Sequence, residues 1–300
     1  MQIDFVLFSI FLVLVDFFWV ICNLDIMTQK YTLHTHTIGF DGKNSVQDMV
    51  NRARELGFHT IGISNHFIVH ENIRKSKMYG FAVQGGYADI YSAHFCDVMD
   101  KFIPHYNELD EIQYQNPDIK ILRGMEVDFF DTPNWRNGFE KSIKILQPDY
   151  IIGSTHFIEY NNTLLNSHDW ANADPKTQDI LLEKYWQNLK IAAESVLFTW
   201  MAHLDLPKKV LLGSEDKWAE HELRAVETIA KSNTMIEINT GLYKPDNYVP
   251  YPSDRILKMV AKYKIPVLIS DDAHASNQIA RHFDEAENLI SKFHLTKYQR

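Results

Sequence analysis

The sequence predicts a single α/β domain, a barrel in which short parallel strands alternate with helices. Seven short β-type runs are each followed by a helical stretch, an order that implies parallel pairing through right-handed crossovers. No linker or change in composition divides residues 31–294, and this length suits one barrel of roughly 250 residues better than two domains. A doubly wound open sheet is the alternative, although the chain has neither a GxGxxG motif nor a P-loop.

Local signals set the bounds of these elements. Ser45 and Asp48 form a capping box that opens the first helix, and Gly57 ends it. Asp174 is the predicted N-cap of a later helix that begins with Pro175. The predicted strands are Tyr31–His36, His59–Ser64, Lys120–Val127, Asp149–His156, Val196–His203, Met235–Asn239 and Pro266–Ser270. The predicted helices are Ser45–Leu56, a mostly helical segment that ends near Gln115, Trp135–Leu146, the helix from Pro175, Asp216–Ser232, Ser253–Lys264 and Asn277–Phe293.

The first 26 residues are predicted to lie outside this domain, which would then span residues 27–300. Phe5–Leu24 is mostly apolar and long enough for a transmembrane helix. Asp16 near its middle would disfavour insertion by roughly 2.5 to 3.5 kcal/mol. No basic residue precedes the run, so it fits a secretory signal poorly. Three interpretations stay open: a natural start at Met27, a membrane anchor, or an extra packed helix.

Charge and cysteine content narrow the classes of function. The 300 residues carry 30 basic and 39 acidic side chains, a formal net charge of −9, which argues against nucleic acid as a charge-driven partner. Chemistry on small phosphate esters is compatible with this charge, because bound divalent ions would supply a positive field. Cys22 and Cys96 cannot build a disulfide framework, which favours a reducing compartment such as the cytoplasm. No oligomeric state is predicted.

Residues that bind metals stand at or just beyond the ends of the predicted strands. The C-terminal ends of the strands in an α/β barrel converge on one face, where active sites lie. His34 and His36 are two residues apart on a strand and therefore share a face, and Asp272 and His274 repeat that spacing. The full set is His34, His36, His66, Glu126, His156, His203, Asp272 and His274.

The chemistry of this set predicts two or three divalent ions. Imidazoles and carboxylates without thiolates suit zinc, manganese or iron better than magnesium or calcium. A carboxylate such as Glu126 is able to bridge ions, and paired ions are typical of phosphoester hydrolysis. Gly124 is expected to let the backbone approach the barrel mouth closely. The remaining strand ends in the polar residues Glu237 and Asn239. The other histidines are interpreted as structural or exposed: His59, His70, His94, His105, His168, His221, His282 and His294.

The motifs resemble those of a known superfamily. HTHTIGFDG, SNHF, GMEVDFF, GSTHF, AHLDL and SDDAH occur in this order and resemble the polymerase and histidinol phosphatase (PHP) superfamily, from about Tyr31 to Phe293. GMEVDFF before PDYIIGSTHF, AHLDLPKK, and EINTGLYK followed by YPSDRIL are similar to its histidinol-phosphatase branch. The resemblance implies the PHP fold, a distorted seven-stranded (βα) TIM-like barrel with a trinuclear metal centre.

The resemblance also implies how the ligands divide among three ions. Asn65 stands where the superfamily usually has Asp, and this change is expected to weaken the orientation of His66 and the third ion site. Asp41 stands where some relatives carry His. The implied ligands are His34, His36, Glu126 and Asp272 for the first ion, Glu126, His156 and His203 for the second, and His66, His274 and Asp41 for the third.

The activity implied by the resemblance is hydrolysis of L-histidinol phosphate to L-histidinol and phosphate, a step of histidine biosynthesis, by attack of a metal-bridging hydroxide on phosphorus. Asp272 or His274 would shuttle a proton to the leaving group. Residues 67–115 are expected to supply an acidic or aromatic wall for the imidazole and amine. Alternatives are a phosphodiesterase or nuclease, a phosphatase of another small phosphomonoester, and a membrane-tethered metal-binding module. The predicted contacts to phosphate are Lys208, Lys209, Lys244 and Arg281.

Overall fold

The computed structural model describes residues 29–209, 215–241 and 249–298. From Tyr31 onward the chain forms one compact unit. The apolar run Phe5–Leu24 and the proposed start at Met27 lie outside the described residues, so the division into 1–26 and 27–300 stays a prediction. Within the described ranges, no helix combines the length and the apolar character needed to cross a bilayer.

The strands of the described chain are short, and most are fully buried. They are β1 (Tyr31–Thr32), β2 (Thr60–Ile63), β3 (His66–Val69), β4 (Tyr91–Ser92), β5 (Lys120–Asp128), β6 (Tyr150–Ser154), β7 (Phe157–Tyr160), β8 (Thr163–Asn166), β9 (Trp200–Met201), β10 (Met235–Asn239) and β11 (Val267–Ser270). The regular ladder of β1 is shorter than predicted, so His34 and His36 lie just beyond it.

Seven of these strands form a nearly closed parallel barrel in the order β1-β2-β5-β6-β9-β10-β11. Each strand pairs in parallel with its neighbours on this path. Backbone hydrogen bonds join the two ends of the sheet: His36 N donates to Ala273 O at 2.8 Å, and Ala273 N donates to His34 O at 3.1 Å. The predicted seven-stranded barrel is therefore confirmed, and the open-sheet alternative is wrong.

Helices connect the strands, and two of the predicted helix starts are confirmed. Ser45 caps α1 with both hydrogen bonds of a capping box to Asp48, and Asp174 caps α6 with Pro175 in its first turn. The described α-helices are α1 (Val46–Glu55), α2 (Lys77–Gly85), α3 (Phe95–Gln115), α4 (Pro133–Leu146), α5 (Ser167–Trp170), α6 (Pro175–Glu194), α7 (Ala219–Lys231), α8 (Asp254–Tyr263) and α9 (Phe283–Phe293).

Two insertions interrupt the simple alternation of strand and helix. The first, residues 66–94, contains β3, α2 and β4; the second, residues 157–170, contains the antiparallel hairpin β7–β8 and α5. In the first insertion, β3 pairs with the C-terminal half of β5, where His66 lies opposite Glu126, and β4 pairs with β3. The first insertion therefore extends the sheet at the end of the barrel where the predicted ligands lie.

A buried aromatic pair fills the centre of the barrel. The ring of Tyr150 stacks on Trp200 with centroids 5.0 Å apart, and its hydroxyl donates to Leu33 O at 2.6 Å. A Cβ on Gly62 or Gly124 would lie 2.1 or 2.2 Å from Tyr150 side-chain atoms. Gly124 therefore makes room for this ring, which corrects the prediction that it serves a close backbone approach at the barrel mouth.

Gly124→Ala is expected to lower the free energy of unfolding by about 1 to 3 kcal/mol, because the added methyl group would overpack the ring of Tyr150. Gly80→Ala is the matched control: nothing lies within 4 Å of a Cβ there, and alanine should stabilise α2 by about 0.5 to 1 kcal/mol. Chemical denaturation measures both changes. An unchanged unfolding free energy in Gly124→Ala would contradict the packing role.

Candidate metal centre

The structure brings the predicted ligands together at the C-terminal mouth of the barrel. Each lies at or just beyond a strand end or, for Asp41, on the loop that follows His36. Every member has a ligand nitrogen or oxygen within 4.0 Å of another member. The cluster consists of His34, His36, Asp41, His66, Glu126, His156, His203, Asp272 and His274.

One oxygen of Glu126 faces three imidazoles. Glu126 is 1% exposed, and its Oε2 lies 3.4 Å from His34 Nε2, 3.7 Å from His36 Nε2 and 2.9 Å from His66 Nδ1. Oδ1 of Asp272 lies 3.6 Å from His34 Nε2 and 3.2 Å from His36 Nε2. Two imidazoles and two carboxylates therefore converge around one point, as a metal site requires.

The other oxygen of Glu126 faces a separate pair of imidazoles. Its Oε1 lies 3.5 Å from His156 Nε2 and 2.9 Å from His203 Nε2. The rings of His156 and His203 lie 4.9 Å apart. A carboxylate whose two oxygens point to different imidazole groups has the geometry of a bridging ligand.

Asp41 organises a third group of ligands. Its Oδ2 lies 3.1 Å from both His66 Nε2 and His274 Nε2, and its Oδ1 lies 3.6 Å from His36 Nδ1. His66 also approaches Glu126, so it borders two groups. The assignment of individual ligands to three ions therefore stays a prediction.

Unpaired polar atoms show that this cluster fits divalent cations. Buried polar atoms are normally hydrogen-bonded. Among the described residues, six buried ligand atoms in the cluster have no hydrogen-bond partner: His34 Nε2, His36 Nδ1, His36 Nε2, Asp41 Oδ1, His66 Nδ1 and Glu126 Oε2. The ligand atoms also form three groups, each with all of its members within 4.8 Å of one another. Cations would satisfy these lone pairs, and imidazole with carboxylate suits zinc, manganese or iron.

Electrostatics keeps the carboxylates of the cluster ionised. Burial opposes the charge of Glu126, but the imidazoles of His66, His156 and His34 outweigh it and hold the pKa of Glu126 well below its usual value. The pKa of Asp272 is also well below its usual value, since neighbouring imidazoles again outweigh burial. The carboxylates are therefore ready to bind cations without first losing protons.

Glu237 is a functional residue that sequence analysis noted only as polar. It is fully buried, and its Oε2 lies 2.9 Å from His34 Nδ1. The same side chain accepts hydrogen bonds from Trp200 Nε1 at 3.0 Å, Asn239 Nδ2 at 2.7 Å and His203 N at 3.2 Å. When His34 Nδ1–H donates to Glu237, Nε2 is left to bind a metal.

Asp128 holds a second ligand imidazole in the same way, and sequence analysis missed it. Its carboxylate accepts from His156 N at 2.6 Å and lies 2.9 Å from His156 Nδ1, which turns Nε2 of His156 toward Glu126. Asp128 follows Glu126 by two residues on β5 and therefore shares its face of the strand. This spacing was the signal that could have identified it.

The side chain of Asn65 contacts Thr37 and His105. Its Oδ1 accepts from Thr37 N at 2.8 Å, and its Nδ2 donates to Thr37 Oγ1 at 2.9 Å and lies 3.0 Å from His105 Nε2. Asn65 therefore holds the loop that leads to Asp41. Backbone pairing with β5 positions His66, and the expected weakening of the His66 site by Asn in place of Asp stays a prediction.

The adjacent lysines beyond the fifth barrel strand have different environments. Lys209 is exposed and lines the cleft above the cluster. Lys208 is buried, and its Nζ lies 3.2 Å from Asp205 Oδ1 and donates to Pro250 O. The structure thus corrects the prediction of a phosphate contact for Lys208, because its ammonium is already held by a buried carboxylate.

Of the other two predicted phosphate contacts, only Arg281 belongs to the described residues, and it is not part of the cleft lining. Arg281 donates to the backbone oxygens of Asp271 at 2.7 Å and Asp272 at 3.2 Å. It therefore supports the backbone of the loop after β11, a correction of the predicted contact. Lys244 lies outside the described residues, so its role stays a prediction.

Seven of the nine cluster residues, all except the fully buried His34 and His36, line a cleft of about 360 Å³. This volume lies at the small end of the range for small-molecule sites, roughly 300 to 1,000 Å³. Outside the cluster, the insertions contribute both apolar and polar residues to this cleft: Ile68, Met78, Tyr91, Phe157, Asn166 and Ser167. One cleft therefore combines the ligand cluster with a wall of mixed polarity.

A parallel barrel with a histidine and carboxylate cluster at its C-terminal mouth defines a metal-binding α/β-barrel protein. The sequence model of the PHP domain matches residues 31–241, and the chain belongs to the PHP domain family. Its named relatives belong to the histidinol-phosphatase branch, as the motifs predicted.

Two curated relatives carry the name "Probable histidinol-phosphatase". The protein of Deinococcus radiodurans is 28% identical over 172 residues, which cover 57% of this chain and 64% of the relative. The protein of Schizosaccharomyces pombe is 21% identical over 219 residues, which cover 67% of this chain and 69% of the relative. The match to the Deinococcus protein thus spans less than two thirds of that relative's length.

Two crystal structures share the fold. One, from Listeria monocytogenes and titled "putative histidinol phosphatase hisK", has a TM-score of 0.69 at 20% identity and covers 85% of this chain and 99% of that chain. The other, histidinol phosphate phosphatase from Lactococcus lactis with zinc, L-histidinol and phosphate, has a TM-score of 0.65 at 16% identity and covers 90% and 95%. These likenesses confirm the PHP barrel fold.

Asp128→Asn and Glu237→Gln are each expected to weaken zinc binding by about 10- to 100-fold, because each removes the charge that orients a ligand imidazole. Competition with a chromophoric chelator measures the affinity. Asp149→Asn is the matched control, since Asp149 precedes β6 and accepts from Arg123 N at 2.8 Å, outside the cluster. Affinities equal to that of the parent in both variants would contradict the orienting role.

Proposed function

We propose that this protein hydrolyses L-histidinol phosphate to L-histidinol and phosphate as a metal-dependent phosphomonoesterase. The observation that carries the proposal is the buried carboxylate of Glu126, whose two oxygens face separate imidazole groups on the floor of a small-molecule cleft. The names of the curated relatives support this substrate, as do the zinc, L-histidinol and phosphate of the Lactococcus structure.

Two or three ions of zinc, manganese or iron would complete the site. When bound, such ions polarise phosphoryl oxygens and lower the pKa of water enough to provide hydroxide near neutral pH. We propose that the ligands are His34, His36, Glu126 and Asp272 for the first ion, Glu126, His156 and His203 for the second, and His66, His274 and Asp41 for the third.

Proton delivery is the task of the chain's own residues. Hydrolysis joins a water oxygen to phosphorus and breaks the ester P–O bond, so a proton lost by that water must be passed to the leaving alkoxide. Asp272 and His274 line the cleft and lie 3.6 Å apart, from Oδ1 to Nδ1. Either side chain is placed to pass a proton to the leaving oxygen, and we propose this pair as the proton relay.

Lys209 is the proposed cationic contact to the phosphate. Among the described residues that line the cleft, Lys209 is the only lysine or arginine. The positive charge of Lys209 would attract a bound phosphate, and its exposed side chain is long enough to adapt to a ligand.

The cysteine content favours a reducing compartment, and we propose that the reaction takes place in the cytoplasm.

Substitution of the adjacent lysines should separate binding from stability. Lys209→Met is expected to raise KM for the phosphate ester by about tenfold, as loss of one charged contact does, with the melting temperature unchanged. Lys208→Met is expected to destabilise the fold by about 3 to 5 kcal/mol, because it leaves Asp205 buried without its partner. Steady-state kinetics and thermal melting measure the two effects. A higher KM in Lys208→Met with unchanged stability would contradict the assignment of phosphate binding to Lys209 and of a structural role to Lys208.

The function itself is tested by release of inorganic phosphate from L-histidinol phosphate. The full chain loaded with zinc or manganese is expected to release phosphate, and His203→Ala is expected to reduce release to background because it removes a ligand that faces Glu126. His221→Ala, on α7 and outside the cluster, is the matched control and should retain full activity.

A second substrate class makes the assay decisive. Bis(4-nitrophenyl) phosphate, a diester, is expected to be a poor substrate of the same preparation. Rapid cleavage of the diester without release from histidinol phosphate would reject the proposal in favour of a phosphodiesterase on this fold.

A further inference from the structure

We propose that His105, on α3, is a positioning residue for the metal centre. Through Asn65 and Phe40 it fixes the loop that carries Asp41, and it thereby sets the affinity for the ion that Asp41 binds. This inference rests on the proposed function, because it takes Asp41 as a ligand of the third ion. His105 itself is not a member of the ligand cluster.

The loop that leads from His36 to Asp41 turns back on Thr37. The backbone oxygen of Thr37 accepts from Phe40 N at 3.2 Å and from Gly42 N at 3.1 Å. A Cβ on Gly42 would lie 2.5 Å from backbone atoms of His36 and Thr37, so the chain passes very close to itself here. The position of Asp41 therefore depends on how Thr37 is held.

Asn65 holds Thr37 through both the backbone and the side chain. Thr37 N donates to Asn65 Oδ1 at 2.8 Å, and Asn65 Nδ2 donates to Thr37 Oγ1 at 2.9 Å. A backbone N–H can only donate, so the oxygen and nitrogen of this amide cannot be exchanged. Asn65 Nδ2 also lies 3.0 Å from His105 Nε2, which must therefore be the acceptor.

This contact fixes the tautomer of His105. An accepting Nε2 carries no proton, so the proton of the neutral ring lies on Nδ1. Nδ1 faces Glu108 Oε2 at 3.4 Å, one turn further along α3. Asn65 is fully buried, and without the acceptor on His105 one of its N–H groups would lack a partner. His105 therefore stabilises the amide orientation that holds the loop.

Helix α3 also packs against the residue directly before Asp41. The ring of Phe40 meets His105 edge to face at 5.1 Å and Phe102 at 5.3 Å, and Lys101 Nζ lies 4.6 Å from its centroid. Such aromatic and cation contacts stabilise a ring beyond the gain from its burial. His105 therefore acts on the loop at two points, through the amide network at its start and directly at Phe40.

The position of Asp41 decides the geometry of the third ligand group. Asp41 Oδ2 lies 3.1 Å from both His66 Nε2 and His274 Nε2. A displacement of the loop would carry this oxygen away from the two imidazoles, while the ligands held on other strands stay in place. Residues that orient a ligand from outside the coordination sphere typically contribute 10- to 100-fold to metal affinity. The loss caused by removal of His105 should therefore be confined to one ion.

Stepwise zinc binding by the full chain tests the proposal. Competition with a chromophoric chelator measures the affinities, and Asp41→Asn identifies the step that depends on Asp41. His105→Leu lacks an acceptor, and the amide of His105→Asn is too short to reach Asn65. Each is expected to weaken the step that depends on Asp41 by about tenfold, with the other steps unchanged. His105→Gln places an amide oxygen near the position of Nε2 and should keep an affinity close to that of the parent.

A double variant separates positioning from general destabilisation. In the Asp41→Asn background, His105→Leu is expected to have no further effect on zinc affinity, because the ligand that it positions is already lost. Tyr106→Phe is the matched control on the same helix. It removes a buried hydroxyl that donates to Gly124 O at 2.9 Å, and it should leave every zinc affinity unchanged.

Four results would overturn the positioning role. They are an unchanged zinc affinity in His105→Leu and His105→Asn, an equal loss at every binding step, additive losses in the double variant, and a loss in His105→Gln as large as that in His105→Leu.

Zinc affinity and turnover together distinguish this inference from the proposed function. A parent chain that shows the expected dependence on His105 but releases no phosphate from L-histidinol phosphate would reject the substrate and leave the positioning role in place. Phosphate release by the parent, with the Asp41-dependent step indifferent to His105, would do the reverse. If Asp41→Asn changed no step, Asp41 would leave the ligand set and the positioning role would fall with it.

Discussion

A buried negative charge on Glu126 is the constraint around which the site is built. A carboxylate at 1% exposure is costly unless it is paired, and here His34, His66, His156 and His203 approach it within 3.5 Å. The parallel barrel makes this arrangement attainable, since strand ends far apart in the chain meet at one mouth. The six unpaired ligand atoms lie among the ligand groups around Glu126 and Asp41, and divalent cations would satisfy the lone pairs that the protein leaves without partners.

The barrel core and the metal cluster are one connected structure. Trp200 donates to Glu237, which holds His34, and the same indole stacks on Tyr150 inside the barrel. The ring of Tyr150 fits only because Gly62 on β2 and Gly124 on β5 lack side chains. Packing of Trp200 and Tyr150 in the core therefore helps to set the orientation of the His34 imidazole. A change that disturbs this packing should affect metal affinity as well as stability.

The barrel and the insertions contribute different residues to the site. Metal ligands lie at barrel strand ends or on short loops beside them, where the backbone is held by several parallel ladders. Met78, Tyr91 and Phe157 line the cleft and lie on segments added after β2 and β6. Such connecting segments tolerate changes of length without loss of the barrel.

The sequence by itself determined the order of the seven strands and the metal-binding character of their ends, because alternation, capping and spacing by two are local properties. Only the tertiary structure decided which side chains oppose one another. Glu237 and His34 are 203 positions apart, so no local spacing encodes their hydrogen bond. In the same way Lys208 proved to be buried against Asp205 while Lys209 faces the cleft. Adjacent residues of one type diverge because burial is set by the rest of the fold.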